Sequence, residues 1–131
     1  MKKFENFCKA LKNLELAAEQ ESYSQLEETG FVAMFEICFE QSWKLLKEIL
    51  KREGIDESKT GSPRQILKSA YGAGILSDEK IWLEILEDRN ILSHVYDADK
   101  ATDIIFKIKQ DYLPTFQKLK STVEIQGWDL R

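Results

Sequence analysis

From Leu26 to Arg52 the chain runs without a proline and places Phe31, Phe35, Phe39, Trp43, Leu46 and Leu50 at steps of three and four residues. At roughly 3.6 residues per turn this spacing gathers the large side chains on one side of a helix, whereas a strand would scatter them over both faces. A helix this long with such a stripe must be covered by other elements, so it predicts a helical bundle. Gly54 follows the last apolar position and supplies the residue a helix needs to turn away at its C-terminus.

The same period recurs elsewhere. Phe4, Phe7, Leu11, Leu14 and Ala18 predict a helix over about 2–20, separated from the long one by Ser22-Tyr23-Ser24. After a loop over 54–61, Ser62-Pro63-Arg64-Gln65 reads as a helix start, with Ser at the cap, Pro in the first turn and Gln placed to close a capping box. That helix is short and stops between Tyr71 and Gly74. Ser77 is the expected cap of a fourth helix, whose apolar face is Ile81, Trp82, Ile85, Leu86 and Leu92 and which Tyr96-Asp97-Ala98-Asp99 interrupts. A fifth spans about 100–123 with Ile104, Ile105, Ile108, Tyr112, Leu113, Phe116 and Leu119 inward. Pro114 should bend it or move a boundary. The tail at Gln126-Gly127-Trp128 is loose unless Trp128 docks. No strand pattern, repeat or linker breaks the sequence, so 1–131 is one all-α domain, an antiparallel bundle with short connections.

Composition narrows the chemistry. With 131 residues, 43% hydrophobic and 32% charged, the chain can bury one core, and a dimer interface would add to a limited burial. A net charge of -4 argues against a broad basic face for duplex nucleic acid but leaves room for a small local RNA site. Cys8 and Cys38 lack the spacing of a metal knuckle and are expected to be reduced, buried small hydrophobes of a cytoplasmic protein. One histidine cannot make a classical zinc site, so no metal is expected. No span crosses a membrane and no leader is expected at the N-terminus. The glycines at 54, 61, 72 and 74 cap helices rather than cradle a phosphate, and no cofactor is expected.

The one histidine, His94, lies in Arg89-Asn90-Ile91-Leu92-Ser93-His94-Val95-Tyr96. It reads either as a cation satisfied near a helix C-terminus or as a general acid/base, with Arg89 holding a phosphate through its planar fork. Five positions separate Arg89 from His94, roughly 140° around a regular helix. Asn90 and His94 share a face, as Arg89 and Tyr96 would if the helix continued. An Arg–His site then needs either unwinding near Ser93 or the same segment of a second copy across a two-fold axis. Glu36, Glu40 and Lys44 stand one turn apart on the long helix. They form either a solvated face with an ion pair from Glu40 to Lys44, or an inward pair of carboxylates holding a cation such as Arg89.

Phe35-Glu36-Ile37-Cys38-Phe39-Glu40-Gln41-Ser42-Trp43-Lys44, then Gly61-Ser62-Pro63-Arg64, then Trp82 to Asn90 with Ser93-His94-Val95-Tyr96, together resemble the nucleotidyltransferase substrate-binding proteins of the HEPN superfamily. The resemblance spans nearly the whole chain in order. It implies an up-and-down four-helix bundle with an additional short helix that forms a homodimer, and a minimal nucleotidyltransferase as partner. In related toxin–antitoxin pairs the HEPN protein is a metal-independent endoribonuclease. The resemblance would make Arg89 and His94 catalytic and Tyr96 the residue that the transferase adenylylates to block the site; Asn90, Glu36 and Glu40, from their positions, are the expected supporting residues. The other reading is a non-enzymatic subunit that presents substrate, RNA or nucleotide, to the transferase.

Overall fold

Helix α2 (Gln25–Arg52) is built as the stripe predicts, and its ends are fixed by local hydrogen bonds. The Ser24 hydroxyl accepts from the Glu27 amide at 3.1 Å and the Glu27 carboxylate accepts from the Ser24 amide at 2.9 Å. These bonds hold the Glu27 carboxyl below its usual range. At the other end Gly54 takes φ +77, which lets the Ile55 amide reach back to the Leu50 carbonyl at 3.0 Å. Phe31, Phe35, Phe39, Leu46 and Leu50 are buried and Trp43 is half-buried. Val32, Cys38, Leu45 and Ile49 are buried as well, so the covered side is wider than the stripe.

The reason is that α2 is covered from several directions. The computed structural model describes residues 1–55, 61–94 and 98–130, without the side chains of residues 93, 94, 98 and 99. The helices α1 (Lys2–Ala18), α3 (Pro63–Gly72), α4 (Glu79–His94) and α5 (Ala98–Lys107) all pack on α2. Helix α6 (Leu113–Gln126) closes the core against α1. The protein is an all-helical bundle. Among the described residues no helix is long and apolar enough to cross a membrane.

Each boundary has a local cause. Helix α1 stops at Ala18, short of Gln20, where the Tyr23 hydroxyl donates to the Ala17 carbonyl at 2.5 Å and turns the chain into α2. Ser62 and Gln65 form the expected capping box of α3, with Pro63 in its first turn. The cap of α4 is Asp78, not Ser77: its carboxylate accepts from the Ile81 amide at 3.2 Å, one residue later than expected. Asp caps as well as Ser does, and it adds a negative charge at the positive end of the helix.

The expected fifth helix is three pieces, α5, a π-helical turn at Ile108–Tyr112, and α6. Pro114 has no amide hydrogen, and in a regular helix its ring would strike the carbonyl of Gln110. The wider π turn just before it relieves that conflict without stopping the helix, and it leaves both Ile108 and Tyr112 buried. The tail docks: Gly127 turns at φ +72, Trp128 packs against the core, and the Met1 amino group donates to the Asp129 carbonyl at 3.0 Å.

The core centres on Phe116, which meets Phe7 and Trp82 edge-on at 6.4 and 5.6 Å between ring centroids. Phe35 lies between Phe116 and Tyr112, stacked on the tyrosine at 5.7 Å. Cys38 is buried and Cys8 half-buried, both as free thiols that burial pushes up.

Candidate functional site

Successive residues on an α-helix leave the axis about 100° apart, so Asp88 and Arg89 of α4 face different neighbours. Arg89 crosses to α2, where its Nη2 donates to Glu40 Oε2 at 2.9 Å, and its Nη1 donates to Asn90 Oδ1 at 3.1 Å. The guanidinium carbon lies 5.8 Å from the centroid of the Phe39 ring. Glu40 is bound from its own helix as well: Trp43 Nε1 donates to Oε2 at 3.1 Å and Lys44 Nζ stands 3.7 Å from Oε1. The i,i+4 ion pair of the first reading of the Glu36-Glu40-Lys44 series is therefore present, and of the carboxylate pair in the second reading Glu40 bonds Arg89. The side chains of Arg89 and Glu40 remain 28% and 32% exposed. Glu36, one turn away, is half-buried; burial pushes its carboxyl up, and the nearby Arg89 charge offsets this only in part.

Asp88 turns to the other side. It accepts a short hydrogen bond from the Tyr112 hydroxyl and pairs with Lys107 Nζ at 3.3 Å. Lys107 also faces Glu84 at 4.0 Å and lies 5.5 Å from the Tyr112 ring centroid. Burial, and then the Asp88 carboxylate, push the Tyr112 hydroxyl up, so it stays protonated and donates. Tyr112 was expected to face inward, but nothing in the sequence joined it to Asp88 and Lys107. They meet only in the folded chain, where Tyr112 closes the π turn beside Pro114.

Beside Arg89 lies a cleft of about 790 Å³. Leu83, Leu86, Asn90 and Ile91 of α4 line it with Arg89, and Pro63 and Arg64 approach from the start of α3. Arg89, Asn90, Glu36 and Glu40 thus gather on one side of the α2–α4 contact. Helix α4 continues through Ser93 to His94, so the unwinding considered near Ser93 is not found and the positions of Arg89 and His94 stay about 140° apart. The side chain of His94, and Tyr96 altogether, lie outside the described residues.

The family model described as "Nucleotidyltransferase substrate binding protein like" matches residues 2–125. The chain belongs to this HEPN-type nucleotidyltransferase substrate-binding family. The matched span runs from the start of α1 to the last turn of α6 and includes the Arg89 site of this substrate-binding family member. The chain is also similar to the "Probable ribonuclease HepT" of Haemophilus influenzae (strain ATCC 51907 / DSM 11121 / KW20 / Rd), 33% identical over 86 residues. That match covers 64% of this chain and 58% of the relative's length. Among solved structures, a crystal structure of a Thermus thermophilus protein superposes with a TM-score of 0.74 at 28% identity, covering 92% of this chain and 97% of that one. This superposition supports the helical architecture of the substrate-binding family member and assigns it no chemistry.

Proposed function

We propose that this protein is the HEPN-type partner of a minimal nucleotidyltransferase and a metal-independent endoribonuclease, toxin-like in effect and cytoplasmic. It would act as a homodimer of up-and-down four-helix bundles. The observation that carries the reading is Arg89: a guanidinium fixed by Glu40 and Asn90 at the wall of a cleft, yet still partly exposed. A purely structural ion pair would gain nothing from facing a cleft, whereas a phosphate-binding arginine must.

In this reading Arg89 holds the scissile phosphate of RNA. His94 takes the proton from the ribose 2′-hydroxyl as its oxygen attacks phosphorus. The bond to the 5′-oxygen breaks, and that oxygen leaves with the proton that His94 passes on, giving a 2′,3′-cyclic phosphate and a 5′-hydroxyl. Because α4 stays helical between Arg89 and His94, the second subunit brings the two groups together, and dimerisation belongs to the mechanism. Tyr96 is the proposed acceptor of AMP from the transferase. The added phosphate would crowd the site and repel RNA.

The family description favours a second reading, a non-enzymatic subunit that presents substrate to the transferase. Incubating the purified chain with RNA in excess chelator separates the two. Cleavage with cyclic phosphate ends, lost in His94→Ala, supports the ribonuclease; intact RNA with a bound transferase leaves only the presenting subunit. Transferase and ATP should add AMP to the chain, and Tyr96→Phe should abolish that mass increase.

A further inference from the structure

We infer that the cleft between the start of α3 and the second half of α4 is a seat for one nucleoside monophosphate unit, with Arg64 as its phosphate contact. This inference rests on the reading of Arg89 as a phosphate-binding group and extends it to the nucleotide next to the scissile bond.

The cleft volume of about 790 Å³ lies within the range of small-ligand sites, roughly 300–1,000 Å³. Two guanidinium groups line it, and they differ in what already holds them. Arg89 is engaged by Glu40 and Asn90. Arg64 is exposed, and among the described residues no ion pair engages it. The cation at this corner is the side chain and not the helix end. The amides of Ser62 and Gln65 are spent in the capping box, and Pro63 has none. The same cleft is lined by the apolar Leu83, Leu86 and Ile91, a surface against which the face of a base can lie.

Glu87 also lines the cleft. Its carboxylate repels a phosphate at its own position and can accept from a base N–H. Cations for phosphate, an aliphatic wall for a base and one acceptor for a base edge match a nucleoside monophosphate better than a bare anion. The unit could come from an RNA chain or from a free nucleotide, and the test separates these sources.

The probes are a labelled single-stranded RNA hexamer with 2′-O-methyl riboses, which cannot be cleaved, and AMP as competitor. Fluorescence anisotropy should show Arg64→Gln weakening hexamer binding about tenfold, the effect of losing one charge-assisted hydrogen bond. The slope of log affinity against log salt should fall by about 0.7, the value for one phosphate contact on a single strand. Arg64→Lys should recover part of the affinity, and the uncharged Ile91→Asn should weaken binding with the salt slope unchanged. The thermal midpoint should not move in Arg64→Gln, because the side chain is exposed. If AMP binds with the same dependence on Arg64 and the hexamer does not bind, the source is the free nucleotide and the seat still stands. If Arg64→Gln binds both probes as the parent does, or neither probe binds at about millimolar concentration, the inference is overturned. Arg64-dependent binding of the hexamer with unmodified RNA left intact would remove the ribonuclease reading and keep the seat. His94-dependent cleavage with binding indifferent to Arg64 would do the opposite.

Discussion

Asp88 and Arg89 are neighbours in the chain and belong to different parts of the molecule. Asp88 meets a wholly buried tyrosine and a lysine, and its side chain is 17% exposed. Arg89 meets a carboxylate that is itself about one-third exposed and faces a cleft. The first arrangement joins α4 to the π turn through a wholly buried hydroxyl and a largely covered carboxylate, with the more exposed Lys107 at its edge. The second fixes a charged group in direction while leaving it reachable. Removing a partner from a buried polar pair is costly, whereas an exposed pair contributes little to stability. The burial difference therefore separates what holds the fold from what is available for chemistry, within one turn of one helix.

The largest expected effect tests the buried half. Tyr112→Ala removes the ring stacked on Phe35 and the donor to Asp88, and should cost about 3–5 kcal/mol in urea unfolding. A loss below about 1 kcal/mol would mean that the π turn repacks freely and does not anchor α4.

Next is Arg89→Gln, where the two halves should diverge. RNA cleavage should fall by about two to three orders of magnitude, as when one charge-stabilising donor is removed from a transition state. The unfolding free energy should change by no more than about 1 kcal/mol, because the pair with Glu40 is partly solvated. A large stability loss with proportionate activity loss would make Arg89 another structural tie and erase the contrast. Tyr112→Phe is the smaller converse. Asp88 keeps Lys107 but loses the hydroxyl, a change of about 1 kcal/mol in stability, and cleavage per folded molecule should not change.

The helices were legible because their signals are local. The Phe31-to-Leu50 stripe, the Ser62–Gln65 capping box and Gly54 each act within a few residues of themselves. The Asp78 cap was misplaced by one position because Ser77 and Asp78 are both good caps, and only the folded turn shows which reaches the Ile81 amide. The π turn was not named because its cause, Pro114, has several remedies, of which a bend and a moved boundary were the two expected. Of the site, the pairing of Glu40 with Arg89 was one of two readings the sequence left open, although the two stand 49 positions apart. Tyr112 was legible as an inward residue, but Asp88 was not, since charge next to charge gives no hint that one of the pair turns to meet it.

The smallest effect sharpens the Arg89 half, because two carboxylates stand near that guanidinium, Glu40 bonded to it and Glu36 acting on it through charge. Burial raises the Glu36 carboxyl above its ordinary 4.5, and the attraction of Arg89 does not make up the difference. The folded state then holds the Glu36 proton more tightly than the unfolded chain does. Its stability falls as pH rises from about 4.5 through the raised value, and the penalty is constant above it. Glu36→Gln has no charge to desolvate. Its thermal midpoint should therefore exceed the parent's at pH 7, and the gap should close as pH falls below the ordinary glutamate value. Comparing the two proteins at each pH cancels the other carboxylates, which titrate alike in both. A variant less stable than the parent at pH 7 would show Glu36 acting as a second partner of Arg89. The guanidinium would then be held by a pair of acids, and its hold would tighten with pH rather than loosen.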